Sequence, residues 1–152
     1  MGQAAPTVYL SSDHAGAELR LAVGDHLAAR GFEVKDLGPD IGDSVDYPDY
    51  AAKLAQALRE DPQARGVAVC GSGIGISIAA NRFPWVRAAL VHDATAARLS
   101  RQHNDANVIA LGQRLTGMAV ALDCVDSFME TEFEGGRHTR RVAKLSQPDD
   151  MV

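Results

Sequence analysis

The sequence predicts an α/β domain, a three-layer α/β/α sandwich with a five-stranded, mostly parallel sheet. Three observations carry that prediction. Apolar segments rich in β-favouring residues alternate with segments of helical period along the whole length. The 152 residues, 46% hydrophobic and 23% charged, have the size and composition of one globular domain. The polar and glycine-rich clusters come directly after strand segments, where ligands bind in open α/β sheets.

The first strand is TVYLSS, residues 7–12, followed by SDHAG and the helical stretch AGAELRLAVGDHLAARG. That helix sets Leu19, Val23, Leu27 and Ala28 on one stripe and ends at Gly31, a residue suited to a helix C-terminus. FEVKDL, 32–37, is the second strand, and GPDIGDSVDYP after it is the longest connection, rich in the residues of surface loops. DYAAKLAQALRE repeats the helical pattern with Tyr50, Leu54, Ala55 and Leu58, with Asp49 as the expected N-cap. GVAVC, 66–70, is the third strand, leading through CGSGIG into a helix over about 74–82. VRAALV, 86–91, and NVIAL, 107–111, are the fourth and fifth, with helices at 93–103, 117–130 and 137–145. Residues 1–152 read as a single domain with loose ends at 1–6 and 146–152. The segments beyond the five strands (SDHAG, DYP, CGSGIG, HDAT and GQR) are expected to line one rim.

A net charge of -5 disfavours a nucleic-acid binder, because phosphate backbones call for a basic surface. No apolar run reaches the ~20 residues of a membrane span, and MGQAAPTVYL has no secretory pattern, so the cytoplasm is the expected location. Cys70 and Cys124 form no C-x-x-C pair, which fits a reducing compartment and excludes a cysteine zinc site. Cys124, within AVALDCVDSF, reads as a small buried hydrophobe.

Cys70 stands where a strand gives way to glycines. GSGIG is not a dinucleotide fingerprint, since Ile76 occupies the position of the last glycine, and no Gly-Lys-Ser/Thr marks a phosphate loop. Gly71, Gly73 and Gly75 still allow a cradle of backbone N–H groups at a helix start, suited to an anion or a developing oxyanion and favouring a thiolate at Cys70. The plain alternative is that Cys70 is only the last buried residue of its strand. Asp13, His14, His103 and Asn104 are its candidate company, although Asp13 also suits an N-cap and His103 a helix end. In the acidic chain, GGRHTRRVAK gathers Arg137, Arg140, Arg141 and Lys144; a solvated surface is the ordinary reading, and a small phosphate suits paired guanidinium forks better than nucleic acid does.

SDHAG, DYPDYA, CGSGIGISIAANR, SRQHNDANVIALGQR and EGGRHTRRV together, in this order from residue 12 to 142, resemble the type B ribose-5-phosphate isomerases and the related allose- and galactose-6-phosphate isomerases. The resemblance implies strand order 2-1-3-5-4, an enediol mechanism without metal or cofactor, and homodimers or homotetramers whose sites are shared between subunits. By position, Cys70 resembles the base moving a proton between carbons 1 and 2, and Ser72 stands beside the enediolate amides where many members have Thr. His103 resembles the ring-opening acid–base group, while Asp13, Tyr47 and Asn104 resemble sugar contacts. Arg137, Arg141, His14 and Arg114 resemble phosphate and substrate contacts. Members that lack the cysteine use a glutamate of the same loop. Ribose 5-phosphate is the implied substrate; a six-carbon aldose 6-phosphate or a non-catalytic phosphate sensor are the alternatives. A redox enzyme is disfavoured because no resolving cysteine is in view.

Overall fold

The computed structural model describes residues 4–152, and residues 1–3 of the expected loose N-terminus lie outside them. The chain runs β1 (Val8–Ser12), α1 (Ala17–Ala29), β2 (Val34–Asp36), α2 (Tyr47–Glu60), β3 (Arg65–Cys70), α3 (Ile74–Ala80), β4 (Ala88–Leu90), α4 (Ala94–Asn104), β5 (Val108–Gly112), α5 (Met118–Glu130) and α6 (Arg137–Leu145). A 3-10 turn at His14–Gly16 links β1 to α1, and another at Pro148–Met151 orders part of the expected C-terminal loose end.

The five strands are all parallel in the order β2-β1-β3-β5-β4. β3 lies at the centre because it is apolar on both faces, as a strand covered from two sides must be. Val67 and Val69 join the core beneath α1 and α5, with Leu10, Ile109 and Leu111. Ala68 and Cys70 point the other way, into the layer built with Leu54, Leu58 and Ile76 of α2 and α3. Ser12 pairs with Val69 and Cys70 with Gly112, so β1, β3 and β5 end level on one rim.

The edge strands β2 and β4 are three residues each, shorter than the 32–37 and 86–91 of the sequence pattern. Each pairs on one side only, so its outer residues find no ladder. α2 begins a turn earlier than its apolar stripe suggests. Asp46 takes the N-cap position and Pro48 sits in the first turn, where its missing N–H costs nothing, so Asp49 is a first-turn residue and not the cap. Asp93, in contrast, caps α4 by accepting from Ala96 N at 2.7 Å.

Arg20, on the sheet side of α1, is 2% exposed. Its Nη1 donates to Ser12 Oγ and its Nη2 to the Pro39 carbonyl, both at 2.6 Å. Nε lies 3.0 Å from Asp36 Oδ1, but its N–H is not directed at an acceptor, so that contact is an ion pair and not a hydrogen bond. One guanidinium thus joins the ends of β1 and β2 to the loop that leads to Tyr47. Arg20→Ala leaves those acceptors buried without a donor and is expected to lower unfolding free energy by about 3 kcal/mol. A shift of the urea midpoint measures this; an unchanged midpoint would show that the arginine holds nothing.

Candidate active site

At the end of β3 the backbone must turn within three residues to start α3. Gly73 makes this possible with φ +78°, and a Cβ there would stand 2.6 Å from Leu90 Cδ1 and 2.9 Å from the Leu111 carbonyl carbon. The turn is held by its own side chains. Gly73 N donates to Cys70 Sγ at 3.1 Å, and Ile74 N donates to Ser72 Oγ at 3.2 Å.

Around this turn lies a cavity of about 350 Å³ lined by Asp13, His14, Tyr47, Cys70, Gly71, Ser72, Gly75 and Arg114, together with Ala15 and Leu115. Cys70, 4% exposed, packs with Ala68 and Ile76 in the core layer and also stands among the residues lining the cavity. Asp13 N donates to the Val69 carbonyl at 3.1 Å, and its carboxylate accepts from Gly16 N at 3.1 Å. It therefore caps the 3-10 turn while facing the cavity. His14 Nδ1 lies 3.2 Å from Val45 N and 3.1 Å from Val45 O, tying that turn to the loop before α2. Tyr47 packs its ring over Gly75, where a Cβ would stand 2.7 Å from Cζ. The Arg114 side chain crosses Gly71, and its backbone N–H donates to the Gly71 carbonyl at 2.9 Å. His92 of HDAT, expected on this rim, does not line the cavity.

His103, Asn104, Arg137 and Arg141 are elsewhere. α4 leaves the carboxyl rim at Asp93 and runs 11 residues back, about 16 Å, to the opposite rim, where β5 begins. His103 and Asn104 precede β5 and do not come after it, so the expectation that strand ends gather them with Cys70 fails within one chain. Asn104 lines a separate hollow of about 360 Å³ with Arg87 and Leu145. His103 stacks on His138 with ring centroids 4.5 Å apart and planes 13° apart. Glu134 Oε1 is 3.6 Å from His103 Nε2 and 4.0 Å from His138 Nε2. Burial, then His103 and Arg137, push the His138 pKa below the ordinary histidine value, with Glu134 opposing them. Arg137 and Arg141 are exposed and form no ion pair among the described residues. Glu134 escaped the sequence pattern, because it lies on the connection before α6 and not on a helix face with His138.

The family model described as Ribose/Galactose Isomerase matches residues 8–145. The chain belongs to that family. A Clostridium thermocellum ribose-5-phosphate isomerase B structure is 46% identical, with a TM-score of 0.92 over 95% of this chain and 98% of its own. The probable ribose-5-phosphate isomerase B of Mycoplasma pneumoniae is 45% identical over 139 residues, 91% of each chain. The Mycoplasma genitalium ribose-5-phosphate isomerase B structure with bound ribulose-5-phosphate is 36% identical, with a TM-score of 0.92 over 99% of this chain and 100% of that one. Family members thus share this arrangement of sheet and loops. Among the described residues, no helix is long and apolar enough to cross a membrane.

The two thiols differ in setting, Cys70 lining the cavity and Cys124 lying in the core. Cys124 is fully buried in α5, and burial, then Asp93 and Asp123, raise its pKa to about 11, so it stays a protonated thiol near neutral pH. Iodoacetamide at pH 7.5 is expected to label Cys70 and leave Cys124 untouched in the native protein, read by peptide mass mapping. Native labelling confined to Cys124 would contradict the assignment of the cavity.

Proposed function

We propose that the chain is an aldose–ketose isomerase that interconverts ribose 5-phosphate and ribulose 5-phosphate through an enediol. The observation that carries this reading is Cys70 in a cavity wall, its sulfur beside the amides of a glycine turn, in a chain 45% identical to a protein named probable ribose-5-phosphate isomerase B. The relative whose structure holds ribulose-5-phosphate supports the choice of a five-carbon substrate.

The chemistry is set by the groups present. In the aldose-to-ketose direction the Cys70 thiolate takes the proton from carbon 2, and the electron pair moves to make the carbonyl oxygen an enediolate. The proton of the carbon-2 hydroxyl passes to that oxygen, and the Cys70 thiol returns its proton to carbon 1. The backbone N–H groups of Ser72 and Gly75, which the turn's own hydrogen bonds to Cys70 Sγ and Ser72 Oγ leave out, stabilise the developing oxyanion, at a typical ~3 to 4 kcal/mol for each well-aimed donor. A base of this kind contributes ~10²- to 10⁴-fold. Asp13, Tyr47 and Asn104 hold sugar hydroxyls. His103 exchanges the ring-oxygen proton to open the sugar, and Arg137 and Arg141, with His14 and Arg114, hold the phosphate.

This assignment requires two copies of the chain, one giving the carboxyl rim with Cys70 and the other the amino rim with His103, Asn104, Arg137 and Arg141. Ile74 and Ile78, one turn apart on α3 and 49% and 53% exposed, with Leu115 beside the cavity at 61%, supply apolar surface for such a contact. The resulting homodimer, or a homotetramer built from it, takes a phosphate between guanidinium groups that have no ion pair among the described residues of one chain.

Cys70→Ala is expected to lower turnover of ribose 5-phosphate at least ~100-fold while retaining substrate binding, and to abolish solvent deuterium incorporation at carbons 1 and 2. Undiminished turnover would reject the base. Because the family description covers galactose as well as ribose, kcat/KM is compared across ribose 5-, allose 6- and galactose 6-phosphate. A preference for a six-carbon substrate would reject the ribose assignment and keep the isomerase.

A further inference from the structure

We infer that His103, Glu134 and His138 form a site for a zinc-like divalent cation, and that an ion held there stops isomerisation by occupying the His103 ring nitrogen. One ligand atom from each residue lies within 4.8 Å of the others. Both Nε2 atoms face one carboxylate oxygen, at 3.6 and 4.0 Å. Tetrahedral zinc with bonds of about 2.0–2.1 Å sets its donors roughly 3.3 Å apart, so closure needs contractions of less than about 1 Å along these two edges, up to about 1.5 Å between the two imidazole nitrogens, and a turn of one ring out of the 13° stack. Two imidazoles and a carboxylate with an open fourth position suit zinc or cobalt and are a poor match for magnesium or calcium, which take oxygen ligands.

The scaffold holds the three donors from three segments. His103 is in the last turn of α4, His138 in the first turn of α6, and Glu134 on the connection, fixed by its backbone N–H donating to the Gln102 carbonyl at 3.1 Å. His138 is only 8% exposed, and neither imidazole is hydrogen-bonded among the described residues. Arg137 and Arg141 act on the His138 ring and oppose a cation beside it. Binding in the micromolar range is therefore expected, weaker than at sites with no positive neighbour. Zinc binding stands on this geometry alone, while inhibition rests on the ring-opening role proposed for His103.

The test uses the full chain, stripped with chelator, titrated with Zn²⁺ by calorimetry and with Co²⁺ by visible absorption. One ion per chain is expected, with His138→Ala and Glu134→Ala each weakening binding ~10-fold or more. Cys70→Ser, which removes the competing thiol on the opposite rim, should leave the affinity unchanged. Zn²⁺ should inhibit turnover reversibly, with chelator restoring it, and Glu134→Ala should raise the inhibitory concentration by the factor it weakens binding. The absence of heat and of a cobalt band overturns the site, as does binding lost in Cys70→Ser and kept in His138→Ala. Binding with undiminished turnover overturns the inhibition. If the stripped chain isomerises none of the sugar phosphates while zinc binds as expected, the isomerase function fails and the site stands.

Discussion

The parallel direction of five hydrogen-bonded strands governs the rest of this molecule. Because every strand points the same way, each delivers its last residue to one rim, and each helix returns the chain to the other. The register that levels Ser12 with Val69 and Cys70 with Gly112 sets three strand ends side by side, close enough for one small cavity to touch the loops beyond them. The same polarity forces His103, at the end of a returning helix, to the opposite rim. Neither loop flexibility nor side-chain rotation spans that distance. The separation is a property of the sheet.

Within the chain this produces two clusters of complementary character. The carboxyl rim offers a sulfur, a carboxylate and backbone amides, with Arg114 as the guanidinium that lines its cavity. The amino rim carries Arg137 and Arg141, exposed and without an ion pair among the described residues, beside two stacked imidazoles, on a chain whose net charge is -5. Unpaired cations concentrated on one face of an acidic protein attract a small dianion to that face. A sugar phosphate long enough to reach from those guanidinium groups to the sulfur of a second copy would use both halves, with binding energy at one end holding the reacting carbons at the other.

Much of this was legible in the residues because it depends on local rules. β3 announced itself as an uninterrupted apolar run, Gly71, Gly73 and Gly75 as a turn open to close approach at a helix start, and the loops after β1, β3 and β5 as ligand-facing by topology. What could not be read was long-range. Arg20 looks like any charged residue of an amphipathic helix, and only its three partners, drawn from β1, β2 and the loop at Pro39, explain why it is buried. His103 was a different kind of miss, since the order of helix 93–103 before strand 107–111 already sets it on the rim where β5 begins. Glu134 became visible only when its connection folded back onto Gln102. Asp49 misled because proline in a first turn extends a helix ahead of its apolar stripe.

The central claim is that catalysis joins the carboxyl rim of one copy to the amino rim of another. Co-expressing Cys70→Ala and His103→Ala chains under different tags, and purifying the mixed dimer through both, tests it directly. Each parent homodimer lacks one half of every site, whereas the mixed dimer rebuilds one of two, so about half the native turnover should return. A mixed dimer as inactive as its parents would contradict the account.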